Sequence, residues 1–160
     1  MEFTQSVTYP GTVDEVVAMF LSPGYQERRF GSFLVPGSTT ASVEGGRITF
    51  SGDVRPELIP VAASRFVKGS LRATFVEEWK GDEAVARSRS TLTVEGAPVS
   101  FDAASALSPA DDGCTRAVKG NVSVRIPLFG GRIEKEAVAH AGTVIEHERE
   151  LAAAWLAEHR

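Results

Sequence analysis

Carboxylates and hydroxyls set in apolar company are the side chains with most chemical potential in this chain. Counting about 100° per residue from Ile133, Leu151 falls near 0°, Val144 near 20°, Trp155 near 40°, Ala141 near 80° and Ala152 near 100°, with Glu148 near 60° in the middle of that apolar arc. An ionised carboxylate there must be hydrogen-bonded, protonated or wet. Strand alternation turns Glu77, Ser88, Ser90 and Ser105 toward the same interior. The serines either bond to neighbouring backbone or supply a few polar contacts in an apolar pocket. Glu77 and Glu148 are the acidic candidates for acid or base chemistry.

Other reactive types lack partners. His140, His147 and His159 all lie on the last helical segment, and Glu136, His140 and His147 fall near one stripe. His140 and His147 are two turns apart, too far to share a metal ion easily, so the stripe reads as a solvated face. No Gly-x-Ser-x-Gly elbow or phosphate-binding glycine loop is present. Cys114 is the single cysteine, so no intrachain disulfide forms, and no base is assigned to it. No cofactor and no metal are expected.

The elements that must position these residues follow from periodicity. Phe3, Val7 and Tyr9 alternate with polar residues as a first strand. Thr12-Val13-Asp14-Glu15 has the spacing of a capping box and opens a short helix to about Leu21. Ser22-Pro23 starts a second helix, with Gly31 as its stop. Strands are expected over 39–43, 48–54, 71–79, 84–94, 99–107 and 116–128, with turns at Glu44-Gly45-Gly46-Arg47, Lys80-Gly81-Asp82-Glu83 and Glu95-Gly96-Ala97-Pro98. The gap 55–69 reads as a short helix, either a cap over a cavity mouth or a packed crossover. The segment 132–160 contains no proline and reads as one long amphipathic helix, with Gly130-Gly131 as the reversal before it.

Register follows from the alternation. Pairing Trp79 with Ala84 and Val94 with Val99 aligns Ala73, Ser90, Ala103 and Gly120 in one inward row, and Phe75, Ser88, Ser105 and Val118 in the next. Glu77 then faces Ala86, Leu92 faces Phe101, and Arg87 and Arg89 point outward. Protein interiors are close-packed, so rows this small leave volume to be filled by another element, by water or by a ligand.

This order resembles the helix-grip superfamily of START lipid-transfer domains, plant pollen allergens and polyketide aromatases/cyclases, and within it an uncharacterised bacterial family. The residues carrying the resemblance are Tyr9-Pro10 before the capping box, Glu78-Trp79 at a strand end, and Ile126-Pro127-Leu128-Phe129-Gly130-Gly131-Arg132-Ile133-Glu134 entering the last helix. The resemblance implies an α+β helix-grip fold, a seven-stranded antiparallel sheet wrapped on a long C-terminal helix, with two short helices after the first strand. It also implies a deep pocket for apolar or amphipathic molecules, and it transfers no catalytic signature.

Composition sets the limits. The 160 residues suit one domain spanning 1–160, with 42% hydrophobic and 24% charged residues. A net charge of −4 argues against a nucleic-acid partner. The N-terminus lacks a signal pattern and no run suits stable membrane insertion, so a cytoplasmic protein is expected. The expected ligand contacts are Ala73, Phe75, Glu77, Ser88, Ser90, Phe101, Ala103, Ser105, Gly120, Val122, Ala141, Val144 and Glu148. Three functions fit this pattern. One is a carrier for a lipid- or polyketide-like molecule, another a cyclase- or hydrolase-type enzyme using an inward carboxylate, and the third an interaction module with a vestigial cavity.

Overall fold

The computed structural model describes residues 1–67, 69–82 and 84–160. Strand β1 (Glu2–Tyr9) leads into helices α1 (Val13–Phe20) and α2 (Pro23–Phe30). The sheet continues with β2 (Thr40–Glu44), β3 (Arg47–Asp53), β4 (Arg72–Asp82), β5 (Val85–Glu95), β6 (Val99–Ala110) and β7 (Gly113–Val124). Helices α3 (Gly130–Ala139) and α4 (Ala141–Glu158) close the chain. The strands form one antiparallel sheet in the order β1-β7-β6-β5-β4-β3-β2, so the first and last strands are neighbours. This is the α+β helix-grip architecture, with the sheet curved around the C-terminal helix.

Local chemistry explains the element starts. The Thr12 hydroxyl accepts from the Glu15 amide at 3.1 Å, and the Glu15 carboxylate accepts from the Thr12 amide at 3.0 Å, which completes the capping box at α1. Pro23 opens α2 at a position where no amide proton is needed. The main core lies at one end of the sheet, where Tyr9, Phe20, Tyr25, Trp79 and Leu107 pack under Ala152 and Leu156 of α4. Phe20 stacks on Trp79 with centroids 5.5 Å apart. A second cluster, Ala63, Val124 and Ile126 with Ile59, Phe66 and Ile133, lies at the other end.

Several expectations are corrected. Strand β4 runs on through Lys80 and Gly81 to Asp82, because Lys80, Gly81 and Asp82 gain cross-strand partners in Arg87, Ala86 and Val85. Trp79 therefore pairs with Ser88 rather than Ala84, Glu77 with Ser90, Phe75 with Leu92 and Ala73 with Val94. The shift is even, so the same side chains face inward while the rows change membership. The two inner rows are Glu77-Ser90-Ala103-Gly120 and Trp79-Ser88-Ser105-Val118. The β5–β6 and β6–β7 registers match expectation, and Arg87 and Arg89 are exposed. Glu83 of the expected turn and Lys68 of the 55–69 gap lie outside the described residues.

That gap contains two short 3-10 helices, Pro56–Leu58 and Val61–Phe66, instead of one helix of two turns. The long C-terminal helix begins earlier than expected, at Gly130, and is interrupted at His140. Strand β7 ends at Val124, not Leu128, and the reversal is made by Ile126 to Phe129, with Leu128 at φ 70°. Gly130 is instead the first residue of α3, packed so that a Cβ there would overlap the Val124 carbonyl, whereas Gly131 has open space around it. Gly130→Ala is expected to lower stability by about 1–3 kcal/mol through that overlap. Gly131→Ala should stay within about 0.5 kcal/mol of the parent. Urea unfolding midpoints of the two variants test the contrast.

Candidate functional site

Between the concave sheet face and α4 lies a pocket of about 410 Å³. Its walls are apolar: Phe3, Phe75, Leu92, Phe101 and Val122 from the sheet, Phe30 at the end of α2 and Phe33 just beyond it, and Ala137, Ala141, Ile145 and Leu151 from the last two helices. The exposed side chains of Phe33, Thr143, Val144 and His147 also line it, marking the side that opens to solvent. Volume and lining both suit a small-molecule site.

Of the expected contacts, Phe75, Ser90, Phe101, Ala103, Val122, Ala141, Val144 and Glu148 line this pocket. Ala73, Glu77, Ser88, Ser105 and Gly120 do not. Ala73 pairs with Val94 toward the sheet end. A side chain at Gly120 would collide with the Phe3 ring, so Phe3 occupies the volume that the glycine leaves. Ser88 and Ser105 hydrogen-bond to each other at 2.6 Å. The Ser90 hydroxyl sits in the pocket wall, 5 % exposed, with no side-chain partner among the described residues. The Val61–Phe66 segment packs through Ala63 and Phe66 on Val124 and Ile126, and among the described residues the 55–69 gap contributes none to the pocket lining.

The remaining inward polar residues form a buried ionic cluster at one end of the pocket. Arg116 is 4 % exposed and Glu77 0 %. Arg116 donates through Nη2 to Glu77 Oε1 at 2.6 Å, through Nε to Ser105 Oγ at 3.0 Å and through Nη1 to Glu148 Oε1 at 3.4 Å. Arg29 of α2 donates through Nη2 and Nε to Glu148 Oε2 at 3.0 and 3.2 Å, and its Nη1 lies 3.9 Å from Glu77 Oε2. Tyr9 donates its hydroxyl proton to Glu148 Oε1 at 3.0 Å. The guanidinium groups are also covered by aromatic faces, Arg116 by Phe20 at 4.5 Å and Trp79 at 5.3 Å, and Arg29 by Phe30 at 5.0 Å and Phe75 at 5.2 Å.

Two positive and two negative charges thus neutralise one another out of water. Burial opposes ionisation of Glu148, but the charges of Arg29 and Arg116 outweigh it and hold its carboxyl below the ordinary value of 4.5. Burial likewise opposes the charge on Arg116, which Glu77, Tyr9 and Glu148 restore and strengthen. The Tyr9 phenol is pushed far up, first by burial and then by the neighbouring Glu148 charge. Glu148 is therefore neither wet nor protonated: it is an ionised anchor for β1, α2 and β7.

Arg29 and Arg116 were absent from the expected contacts, yet both line the pocket. Arg116 carried a readable signal, since it has the parity of the inward Val118 and Gly120 on β7. Cys114, also on that parity, is fully buried, and burial with the Glu15 charge raises its thiol to about 11, away from thiolate chemistry. Among the described residues no three His, Cys, Asp or Glu side chains gather as a metal site, and no helix is long and apolar enough to cross a membrane.

The cluster sets two expectations. A depressed carboxylate stabilises the fold above its unfolded pKa, and that contribution disappears as pH falls through the lowered folded value. Thermal unfolding of the parent should therefore show a drop in Tm between about pH 5 and pH 3 that is shallower in Glu148→Gln, whose Tm at pH 7 is already lower. Arg116→Met should cost about 3–5 kcal/mol in urea unfolding by stranding Glu77, and adding Glu77→Leu should recover much of it.

Comparisons with known proteins agree with this architecture. An uncharacterised protein of Mycobacterium tuberculosis (strain ATCC 25618 / H37Rv) is 25% identical over 168 aligned residues, covering 96% of this chain and 95% of that protein. A conserved protein from Geobacillus kaustophilus has a solved structure similar to this one, with a TM-score of 0.61 and 20% identity over 99% of this chain and 96% of the other. The STAR-related lipid transfer protein (fragment 25–204) of Xanthomonas axonopodis is similar with a TM-score of 0.57 and 14% identity over 92% of this chain and 85% of the other. These structural likenesses establish a shared fold of the START-like helix-grip kind. A family model spans residues 4–156, and the chain accordingly belongs to the family described as Protein of unknown function (DUF2505).

Proposed function

We propose that this chain is a single-domain, cytoplasmic binding or carrier protein for an apolar or amphipathic small molecule, held between the sheet and α4. The observation that carries this reading is the pocket of about 410 Å³ with phenylalanine-rich walls. Close packing is the rule for protein interiors, so apolar walls held apart over a space of that size are costly unless the space is used. The fold is shared with a protein described as a STAR-related lipid transfer protein, which fits the same reading. Ligand contacts in this proposal are Phe75, Ser90, Phe101, Ala103, Val122, Ala141, Val144 and Glu148, with Arg29 and Arg116 at the polar end. The net charge of −4 fits a small-molecule partner rather than a nucleic acid.

Catalysis by an inward carboxylate has less support. Glu148 is tied to two guanidinium groups and a phenol, and Glu77 does not line the pocket. A carboxyl group held ionised is a poor proton donor near neutral pH. A vestigial cavity is opposed by the volume itself.

The test is a single insertion. Ala103→Leu adds bulk to the pocket wall, where an open space admits it without strain. Binding of an apolar fluorescent probe should weaken at least about ten-fold while Tm stays within a few degrees of the parent. A large fall in Tm with probe binding unchanged would reject the pocket at this position.

A further inference from the structure

Resting on the reading of this pocket as a small-molecule site, we infer that it selects ligands whose polar end is neutral, a hydroxyl or carbonyl group, and discriminates against carboxylates, phosphates and ammonium groups on the same apolar skeleton. The pocket's inner end presents four polar groups: Ser90, Arg29, Arg116 and Glu148. Two arginines at one end of a pocket have the chemistry of an anion site, but their charges are already matched. Arg116 is committed to Glu77 at 2.6 Å and to Glu148 at 3.4 Å, and Arg29 to Glu148 at 3.0 Å with Glu77 at 3.9 Å. Two guanidinium groups face two carboxylates, all four of them at most 14 % exposed. A ligand carboxylate entering this end would bring a fifth charge with no counter-charge, and an ammonium group would do the same with the opposite sign. Desolvating an unpaired charge is far costlier than desolvating a hydroxyl. Among the described lining residues the other titratable group is His147, which is exposed at the open side and remote in character from the inner end.

What the inner end does offer is neutral hydrogen bonding. The Ser90 hydroxyl is 5 % exposed, lines the pocket and has no side-chain partner among the described residues, so it can both donate and accept. Three of the five N–H groups of Arg29 are used, on Glu148 and Gln26, leaving donors for an uncharged oxygen. One hydroxyl or carbonyl oxygen can meet these donors without disturbing the charge balance, while the phenylalanine walls take the apolar remainder. A buried polar group left unpaired weakens binding of a ligand that lacks the matching atom, so a bare hydrocarbon should bind less well than its hydroxylated form.

The experiment uses the full chain and four biphenyl probes at pH 7, followed by isothermal titration calorimetry. These are biphenyl, 4-phenylphenol, biphenyl-4-carboxylate and biphenyl-4-ylmethylammonium. The expected result is 4-phenylphenol binding at least ten-fold more tightly than either ion, and several-fold more tightly than biphenyl. Ser90→Ala should remove the advantage of the phenol over biphenyl and leave biphenyl affinity unchanged. Glu148→Gln removes one negative charge from the cluster, and the carboxylate should then gain at least ten-fold in the variant. If that variant fails to fold, the probe series on the parent and on Ser90→Ala decides the matter alone. Either ion binding as tightly as the phenol overturns the neutral-end inference while leaving the pocket reading intact, as does a phenol advantage untouched by Ser90→Ala. Failure of all four probes and of an apolar dye to bind overturns the pocket reading, and this inference with it.

Discussion

Arg116 of β7 takes a guanidinium group out of water on the inward face of the sheet, and the surrounding interior is shaped by that one burial. An unpaired buried cation would be prohibitive, so the carboxylates of Glu77 on β4 and Glu148 on α4 must stand beside it. Two carboxylates facing one arginine would leave a surplus negative charge, which Arg29 of α2 balances. The Ser105 hydroxyl accepts a hydrogen bond from Nε–H, Tyr9 donates to Glu148, and Phe20 and Trp79 cover the flat faces of the guanidinium. The cluster therefore draws on β1, α2, β4, β6, β7 and α4 together. Hydrophobic packing is tolerant of small rearrangements, whereas a four-charge set with bonds near 3 Å is not. It fixes how the C-terminal helix lies across the sheet, and with it the shape of the space left over.

How much of this was legible in the sequence depended on whether the signal was local. Thr12 and Glu15 are three residues apart, and their capping box forms as expected because both partners lie in one turn. The β5–β6 and β6–β7 pairings follow from inward-facing small residues that can be matched by parity. The β4–β5 pairing did not, because Lys80-Gly81-Asp82 has turn composition yet gains ladder partners when the strand continues. A helix over 132–160 was readable from its period. Its interruption at His140 has no proline or other strong breaker to announce it.

The site was half legible for a related reason. The inward direction of Glu77, Ser90 and Glu148 came from periodicity alone, whereas their partners come from elements far away in the chain. Arg29 and Glu148 are 119 residues apart, and Tyr9 and Glu148 are 139. Helix α2, Pro-Gly-Tyr-Gln-Glu-Arg-Arg-Phe, has too few apolar residues to reveal which face turns inward, so Arg29 gives no periodic sign of burial. Arg116 did share the parity of Val118 and Gly120. An arginine at an inward strand position is ordinarily discounted, since such residues are seldom fully buried unless paired, and here the pairing is what licenses it.

The volume missing from the small-residue rows is real, but it is divided between two uses. Phe3 covers Gly120, and the guanidinium group of Arg116 reaches Ser105 and Glu77 across the smaller side chains of β5 and β6. What remains, bounded by Ser90, Ala103, Phe101 and Val122, is the pocket. The serines show the division most clearly. Ser88 and Ser105 are small so that a charged plug can be accommodated and hydrogen-bonded, while Ser90, one row further out, is small beside open space. A large apolar residue at 105 would displace Arg116 and break the charge balance, whereas one at 90 or 103 would only consume pocket volume. Small inward residues in a grip of this kind therefore do not all report a cavity. They mark first the seat of the ionic cluster that orders the fold, and only beyond it the space that the order leaves free.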